Sequence, residues 1–250
     1  MKYIGIIPAR YASTRFPGKP LAMIGNKSMI RRVYEQAIQC KQFDKVVVAT
    51  DDERILNHVL QFGEAVMTAS NHRSGTDRCL EATSLISGEQ EIGDGDVVIN
   101  IQGDEPFIQP EQIELLASLF SDPETLIGTL VKRINQSDDL FNPNIVKVVF
   151  DRNFRALYFS RWAIPFIRGA ELDEWLNHHR FFRHIGLYGY RLGVLKKLAS
   201  LPFGELEKAE SLEQLRWLQH GFPIKVMETD LASPGIDTPE DLESIPPQWL

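Results

Sequence analysis

Short unbroken runs of apolar residues alternate along the chain with stretches where apolar positions recur every three or four residues. Residues 3–7, 45–49 and 97–101 are continuous and rich in β-branched side chains, the pattern of strands covered on both faces. Between the first two runs, Met29, Ile30, Val33, Ala37 and Ile38 share one face of a helix predicted over residues 28–41. Strand, helix and strand in that order make the βαβ unit of an open, mostly parallel sheet, so the pattern predicts an α/β fold. Further helices are predicted over residues 52–62, 75–86, 109–120 and 205–220. The last rests on Leu206, Ala209, Leu212, Leu215 and Leu218, which a helix brings to one side.

From about residue 126 to 192 the texture changes. Residues 145–150, 156–159 and 185–190 read as strands joined by longer polar loops without crossover helices, which predicts an antiparallel extension. Its aromatics, Phe141, Trp162, Phe166, Trp175, Phe181 and Phe182, suit either a local core or a contact with a second copy, and the pattern does not separate the two. Near the end, Thr238-Pro239-Glu240-Asp241 supplies a capping hydroxyl, a proline at the first helical position and an acid three residues after the cap, which marks a helix start. No repeat, low-complexity tract or Gly/Ser linker interrupts the chain. A single domain over residues 1–250 is expected, with 126–192 as a subregion.

Composition changes this picture little. At 43 % hydrophobic and 24 % charged the chain is ordinary for a globular protein. No apolar run approaches the roughly 20 residues that span a bilayer. Pro8 and Arg10 break the N-terminal run before a signal-peptide core forms, so a cytoplasmic protein without membrane insertion is expected. Cys40 and Cys79 stand far apart with no CxxC, which predicts two buried thiols.

Charge is more informative. The net value of −7 argues against a general nucleic-acid binder. Residues 1–35 nevertheless carry seven cations against the single acid Glu35, a local +6, leaving −13 for the remainder. A basic head on an acidic body points to a local anionic ligand.

The chemistry gathers at strand ends. After the first strand, Arg10, Ser13, Thr14, Arg15, Gly18 and Lys19 fall within ten residues, where α/β sheets bind their ligands. Arginine forks, a lysine point charge and free backbone N–H groups suit a polyphosphate. Neither GxxxxGK[ST] nor GxGxxG is present, since Pro20 follows Gly18-Lys19. The third buried run ends in Gln102-Gly103-Asp104-Glu105-Pro106, at the same sheet edge. There Asp104 can hold a hard cation such as Mg²⁺ against phosphate oxygens, although a plain polar turn fits that spacing equally well. A metal needs more than one ligand, so Asp104 needs a partner; Asp237, just before the helix cap, is a candidate that its position alone does not establish. Ser74-Gly75-Thr76-Asp77-Arg78 opens a helix and suits an anion or only a cap, and Thr50-Asp51-Asp52 carries the same ambiguity. The six histidines show no HExxH spacing and no serine sits in a GxSxG elbow. His184 leads into a glycine-flanked strand, as a ligand contact or a hydrogen-bonded core residue.

Together these segments resemble a family. The run from Pro8 to Leu21, Ser74-Gly75-Thr76-Asp77-Arg78, Gln102-Gly103-Asp104-Glu105-Pro106, Phe141-Asn142-Pro143-Asn144 and Ala156-Leu157-Tyr158-Phe159-Ser160-Arg161 are similar to the CMP-Kdo synthetases, the 3-deoxy-manno-octulosonate cytidylyltransferases. So are Arg183-His184-Ile185-Gly186, Ser211-Leu212-Glu213-Gln214-Leu215-Arg216 and the segment from Ile236 to Leu242. The resemblance runs in order over nearly the whole chain. It implies a nucleotide-diphospho-sugar transferase fold, Rossmann-like, with a mixed, mostly parallel sheet and an antiparallel dimerisation extension. It also implies a homodimer that converts CTP and Kdo to CMP-Kdo and pyrophosphate with Mg²⁺, for lipopolysaccharide biosynthesis. The implied CTP site is Pro8, Ala9, Arg10, Ser13, Arg15, Lys19, Ser74, Gly75, Thr76 and Arg78. The implied metal carboxylates are Asp104 and Asp237, which with Lys19 form the catalytic set. The implied sugar contacts are Gln102, Arg161, His184, Tyr188, Glu213 and Gln214. Lys208 stands where many members carry histidine, which raises an 8-amino-Kdo analogue as an alternative acceptor. A CMP-sialic acid synthetase-like enzyme is another alternative. A nucleotide-binding regulator would keep the basic loop and have no use for Asp104 and Asp237.

Overall fold

The computed structural model describes residues 1–12, 16–88, 91–231, 233–236, 238–246 and 249. Strand β1 (Tyr3–Ala9) leads through the basic loop and a short hairpin, β2 (Met23–Ile24) and β3 (Lys27–Ser28), into helix α1 (Met29–Ala37). Then β4 (Lys45–Thr50), α2 (Glu53–Val59), β5 (Ala65–Met67), α3 (Gly75–Ile86) and β6 (Val97–Asn100) follow in βαβ order. The second half runs α4 (Pro110–Ser118), β7 (Ile127–Arg133), α5 (Ser137–Phe141), β8 (Lys147–Phe150), β9 (Ala156–Ser160), α6 (Trp175–His178) and β10 (Phe182–Arg191). It closes with α7 (Leu192–Ala199), α8 (Glu205–Glu210), α9 (Gln214–Gln219), β11 (Ile224–Glu228) and α10 (Pro239–Glu243).

The main sheet has the order β11-β7-β10-β6-β1-β4-β5. Strands β6, β1, β4 and β5 are parallel neighbours, β11 is parallel to β7, and β10 runs antiparallel to both β6 and β7. This is the mixed, mostly parallel α/β sheet that the pattern predicts. Each strand alternates between two cores because successive side chains point to opposite faces. Ile4 and Ile6 of β1 pack with Cys79, Ala82, Leu195 and Leu215 under α3, α7 and α9. Ile7 and Ala9 pack with Ile30, Val33, Ile55 and Leu116 under α1, α2 and α4.

Two expectations need correction. The helix predicted over residues 205–220 is two helices. Ser211 takes a left-handed conformation (φ 52°), and the Leu212 N–H donates back to the Glu207 carbonyl, a Schellman-type stop. Before that stop Leu206 and Ala209 face solvent, and Glu207 is the buried residue, ion-paired to Arg216 at 3.4 Å. The antiparallel extension is also smaller than residues 126–192. It consists of β8 and β9, which join β10 at Arg183, whereas β7 and the whole of β10 belong to the main sheet. The aromatics divide accordingly. Trp175 and Phe181 are buried with Ile134, Leu140 and Ala163 in a small separate core, whereas Trp162 and Phe166 are 65 % and 73 % exposed.

Candidate active site

Strands β1 and β6 are parallel neighbours, so the loops that leave their carboxyl ends meet. Gly103 makes this meeting close. A Cβ there would lie 2.7 Å from the Pro8 carbonyl oxygen, a contact real side chains do not make. The basic loop closes on itself through the Gly18 N–H, which donates to the Tyr11 carbonyl at 2.9 Å with Gly18 in the left-handed region (φ 73°). That turn delivers Lys19 inward: its side chain is only 9 % exposed, and its ammonium donates to Asp104 Oδ2 at 2.8 Å. Gln102 donates to the Gly186 carbonyl at 3.3 Å, tying the same edge to β10.

Opposite, α3 begins. Ser74 is its N-cap and accepts the Asp77 N–H at 3.2 Å, while Gly75 allows the helix end to come against Pro8. Arg78 is buried and fixed by Thr68 at 2.5 Å and Asp51 at 3.0 Å. This resolves the earlier ambiguity at Asp51-Asp52, since Asp51 holds Arg78 and Asp52 caps α2 through the Arg54 N–H at 2.9 Å.

Between these elements lies a cavity of about 250 Å³. Of the residues picked out from the sequence, Pro8, Ala9, Arg10, Lys19, Ser74, Gly75, Arg78, Gln102 and Asp104 line it. Ser13, Arg15 and Asp237 lie outside the described residues. His72 and Arg73 also line it and were missed, although they directly precede Ser74. The signal was their position at a helix entry, where side chains share the helix end's exposure to the ligand edge. His72 is held by the Glu81 carboxylate. Among the described lining residues, Arg10, Lys19, Arg73 and Arg78 face one acid, Asp104, so the cavity favours a polyanion.

The model of the cytidylyltransferase family matches residues 4–228 of this chain. The chain belongs to the cytidylyltransferase family. It is 58 % identical over 249 residues to the 3-deoxy-manno-octulosonate cytidylyltransferase of Parabacteroides distasonis, covering 97 % of this chain and 96 % of the relative. It is 55 % identical over 247 residues to the protein of the same name from Bacteroides thetaiotaomicron, covering 97 % and 96 %. Among solved structures it resembles CMP:2-keto-3-deoxy-manno-octonic acid synthetase complexed with CTP, with a TM-score of 0.87 and 42 % identity over 97 % of this chain and 96 % of that one. A cytidylyltransferase from Leptospira borgpetersenii, with a TM-score of 0.60 and 19 % identity over 97 % of this chain and 84 % of that one, shares the fold.

In this cytidylyltransferase Thr76, Arg161, His184, Tyr188, Glu213 and Gln214 do not line the cavity, and Thr76 links α3 to Glu213. The Thr76 hydroxyl donates to Glu213 Oε2 at 2.9 Å, and Arg216 donates to the other oxygen at 2.6 Å. Burial pushes the Glu213 carboxyl up, opposed by hydrogen bonds from Thr76 and Ser74. Gln214 is buried beside it at the start of α9. On β10, His184 is bonded to the Thr129 hydroxyl at 3.0 Å, and burial, with Arg183 adjacent, brings it down to about 3, so its imidazole is neutral. Tyr188 lies against His184 and Trp217, and its hydroxyl is buried with no partner among the described residues. Arg161 donates to the carbonyls of Glu210 (2.7 Å), Pro143 (3.1 Å) and Ser211 (3.4 Å).

The metal expectation rests on Asp104. Among the described residues no three His, Cys, Asp or Glu side chains cluster to hold an ion. Mg²⁺ commonly takes one or two carboxylates and fills its octahedron with substrate phosphates and water. The Asp104 carboxylate, 41 % exposed on the cavity wall, is a hard oxygen donor that fits that mode. No helix among the described residues is long and apolar enough to cross a membrane.

Proposed function

We propose that this chain transfers the cytidylyl group of CTP to the anomeric hydroxyl of 3-deoxy-manno-octulosonate, releasing pyrophosphate. The observation that carries the reading is the basic cavity at the carboxyl ends of β1 and β6, with Asp104 in its wall, in a chain 42 % identical to a synthetase whose structure holds CTP. Such a transfer needs positioning and charge neutralisation more than covalent catalysis. Arg10, Lys19 and Arg78, with Arg15 and Ser13 of the same loop, bind the triphosphate, and the backbone of Pro8, Ala9, Ser74 and Gly75 packs the nucleotide. Asp104 and Asp237 are the carboxylates that would hold Mg²⁺, which when bound supplies charge neutralisation at phosphate oxygens and lowers the pKa of the attacking hydroxyl. Lys19 serves two partners, keeping the Asp104 carboxylate oriented and meeting the charge that grows on the leaving pyrophosphate.

The sugar acid sits towards β10 and α9, with Gln102, His184, Tyr188, Glu213 and Gln214. Arg161 has five N–H donors and spends three on carbonyls, so two remain for the sugar carboxylate. Lys208 is exposed on α8 while its neighbour Glu207 turns inward to Arg216, so nothing at Lys208 favours an 8-amino acceptor. The exposed Trp162 and Phe166 support a homodimer formed through the extension, which sedimentation of the full chain tests.

Pyrophosphate release from CTP and Mg²⁺ is to be measured with Kdo, 8-amino-Kdo and sialic acid in parallel. Release with Kdo is expected, and no release with any octulosonate would sink the reading. Asp104→Asn should lower turnover by about 100-fold or more, as the loss of a transition-state charge partner does.

A further inference from the structure

Lys147 on β8 is fully buried, and the reaction as described makes no use of it. Its ammonium donates to three backbone carbonyls, those of Arg161 at 2.5 Å, Ile145 at 2.6 Å and Asn142 at 2.9 Å. Three donors meet three acceptors. Ordinary packing does not account for a lysine here, because an apolar side chain of similar shape fills the space without the cost of burying a charge.

The three carbonyls share one neighbour. Asn142 and Ile145 flank Pro143, whose own carbonyl accepts from the Arg161 guanidinium, and the third acceptor is the carbonyl of Arg161 itself. The Arg161 backbone N–H donates to the Glu210 carboxylate at 2.8 Å, and its guanidinium caps the last carbonyls of α8. Lys147 therefore fixes both the backbone that carries Arg161 and the loop on which its guanidinium rests. We infer that Lys147 is a positioning residue for the acceptor substrate, holding Arg161 so that its two uncommitted N–H donors form a fixed fork for the sugar carboxylate. The inference rests on the proposed role of Arg161.

The charged groups around Lys147 are Glu210 on α8, Arg161 after β9, and its cross-strand partner Arg183 on β10, which lies 4.0 Å from Asp139 on α5. Burial brings the Lys147 ammonium down to about 8, with Glu210 opposing and Arg161 reinforcing the fall. As pH rises through that value the ammonium loses a proton, and one of the three carbonyls loses its donor.

Steady-state kinetics of the full chain with CTP, Mg²⁺ and Kdo test this. Lys147→Met should raise KM for Kdo about tenfold or more and leave KM for CTP within about twofold. In an Arg161→Ala background the same change should add nothing further. An unchanged KM for Kdo in Lys147→Met, beside a raised one in Arg161→Ala, overturns the inference alone. An unchanged KM for Kdo in Arg161→Ala overturns the proposed role of Arg161 and the inference with it. Both KM values rising together in Lys147→Met would show a merely structural residue. Should Lys147→Met fail to fold, the wild-type protein answers: KM for Kdo should climb from about pH 7.5 to 9 while KM for CTP stays level. A level KM for Kdo overturns the inference.

Discussion

Replacing Gly103 by alanine tests how closely the two halves of the proposed nucleotide cavity are joined. The added Cβ would stand 2.7 Å from the Pro8 carbonyl oxygen, where ordinary contact begins at 3.4 Å, so the two must part by 0.7 Å. Ile30 Cδ1 at 3.6 Å and Ala9 Cβ at 3.7 Å already touch the same point, which leaves the new methyl no free direction. Pro8 is poorly placed to yield, because it is paired with Ala49 of β4 and follows directly on the part of β1 that β6 holds from the other side. Gly103 does not occupy the left-handed region, so the substitution isolates the contact from any backbone preference. Overpacking of this kind costs about 1–3 kcal/mol.

Pro8 and Ala9 line the cavity, so part of that cost appears in ligand affinity. The expected result for Gly103→Ala is a Kd for CTP weakened about tenfold, equivalent to about 1.4 kcal/mol, by calorimetric titration. The melting temperature should fall by about 2–4 °C for each kcal/mol of lost stability. A variant that binds CTP within twofold of wild type and melts at the same temperature would refute the reasoning, since the Pro8–Gly103 contact would then not set the width of the cavity.

Other parts of the site give separate tests. His184 is held at about 3 by burial and by Arg183, whereas the unfolded imidazole titrates near 6.5, so the unfolded chain takes up a proton that the native one refuses. Stability from this group is therefore complete above pH 6.5 and is lost as pH falls, at up to about 1.4 kcal/mol per pH unit. His184→Gln should flatten that part of the melting curve against pH relative to wild type. Asp51→Ala leaves the buried Arg78 guanidinium without its carboxylate at 3.0 Å; a loss of about 3 kcal/mol by denaturant titration is expected, together with a raised KM for CTP. Thr76→Val removes a hydrogen bond that holds the Glu213 carboxyl down against burial. The acid limb of kcat/KM for the sugar should move to higher pH, and an unmoved limb would take Glu213 out of the sugar site.

Much of the proposed nucleotide half was legible in the sequence because its parts are local. A buried run followed by Arg10, Gly18 and Lys19, and another followed by Gln102-Gly103-Asp104, announce two loops at one sheet edge once the strands are taken as parallel neighbours. His72 and Arg73 escaped because the motif begins at the cap, Ser74, whereas the cavity wall begins two residues earlier. The extension was drawn too large for a similar reason. β10 is a single ten-residue strand paired to β7 along its length, while its other edge passes from β8 to β6, and local pattern carries no mark of that change of partner.

The proposed sugar half was less legible because it depends on a break in periodicity. Leu206, Ala209, Leu212, Leu215 and Leu218 keep helical spacing straight through the point where the helices part. What stops α8 is not in that pattern. Its last carbonyls are taken by Arg161, some fifty residues earlier in the chain, and Ser211 accepts a left-handed conformation that a continuous helix would forbid. The reversal lets α9 start afresh with Glu213 at its cap, close enough to Thr76 to bond at 2.9 Å. One long helix would have carried Glu213 along the axis of α8 and given Arg161 no free carbonyls to rest on. The same tertiary contact thus ends the helix, orients Arg161 and brings Glu213 to α3, so the acceptor half we propose depends on the segment after β9 packing against α8.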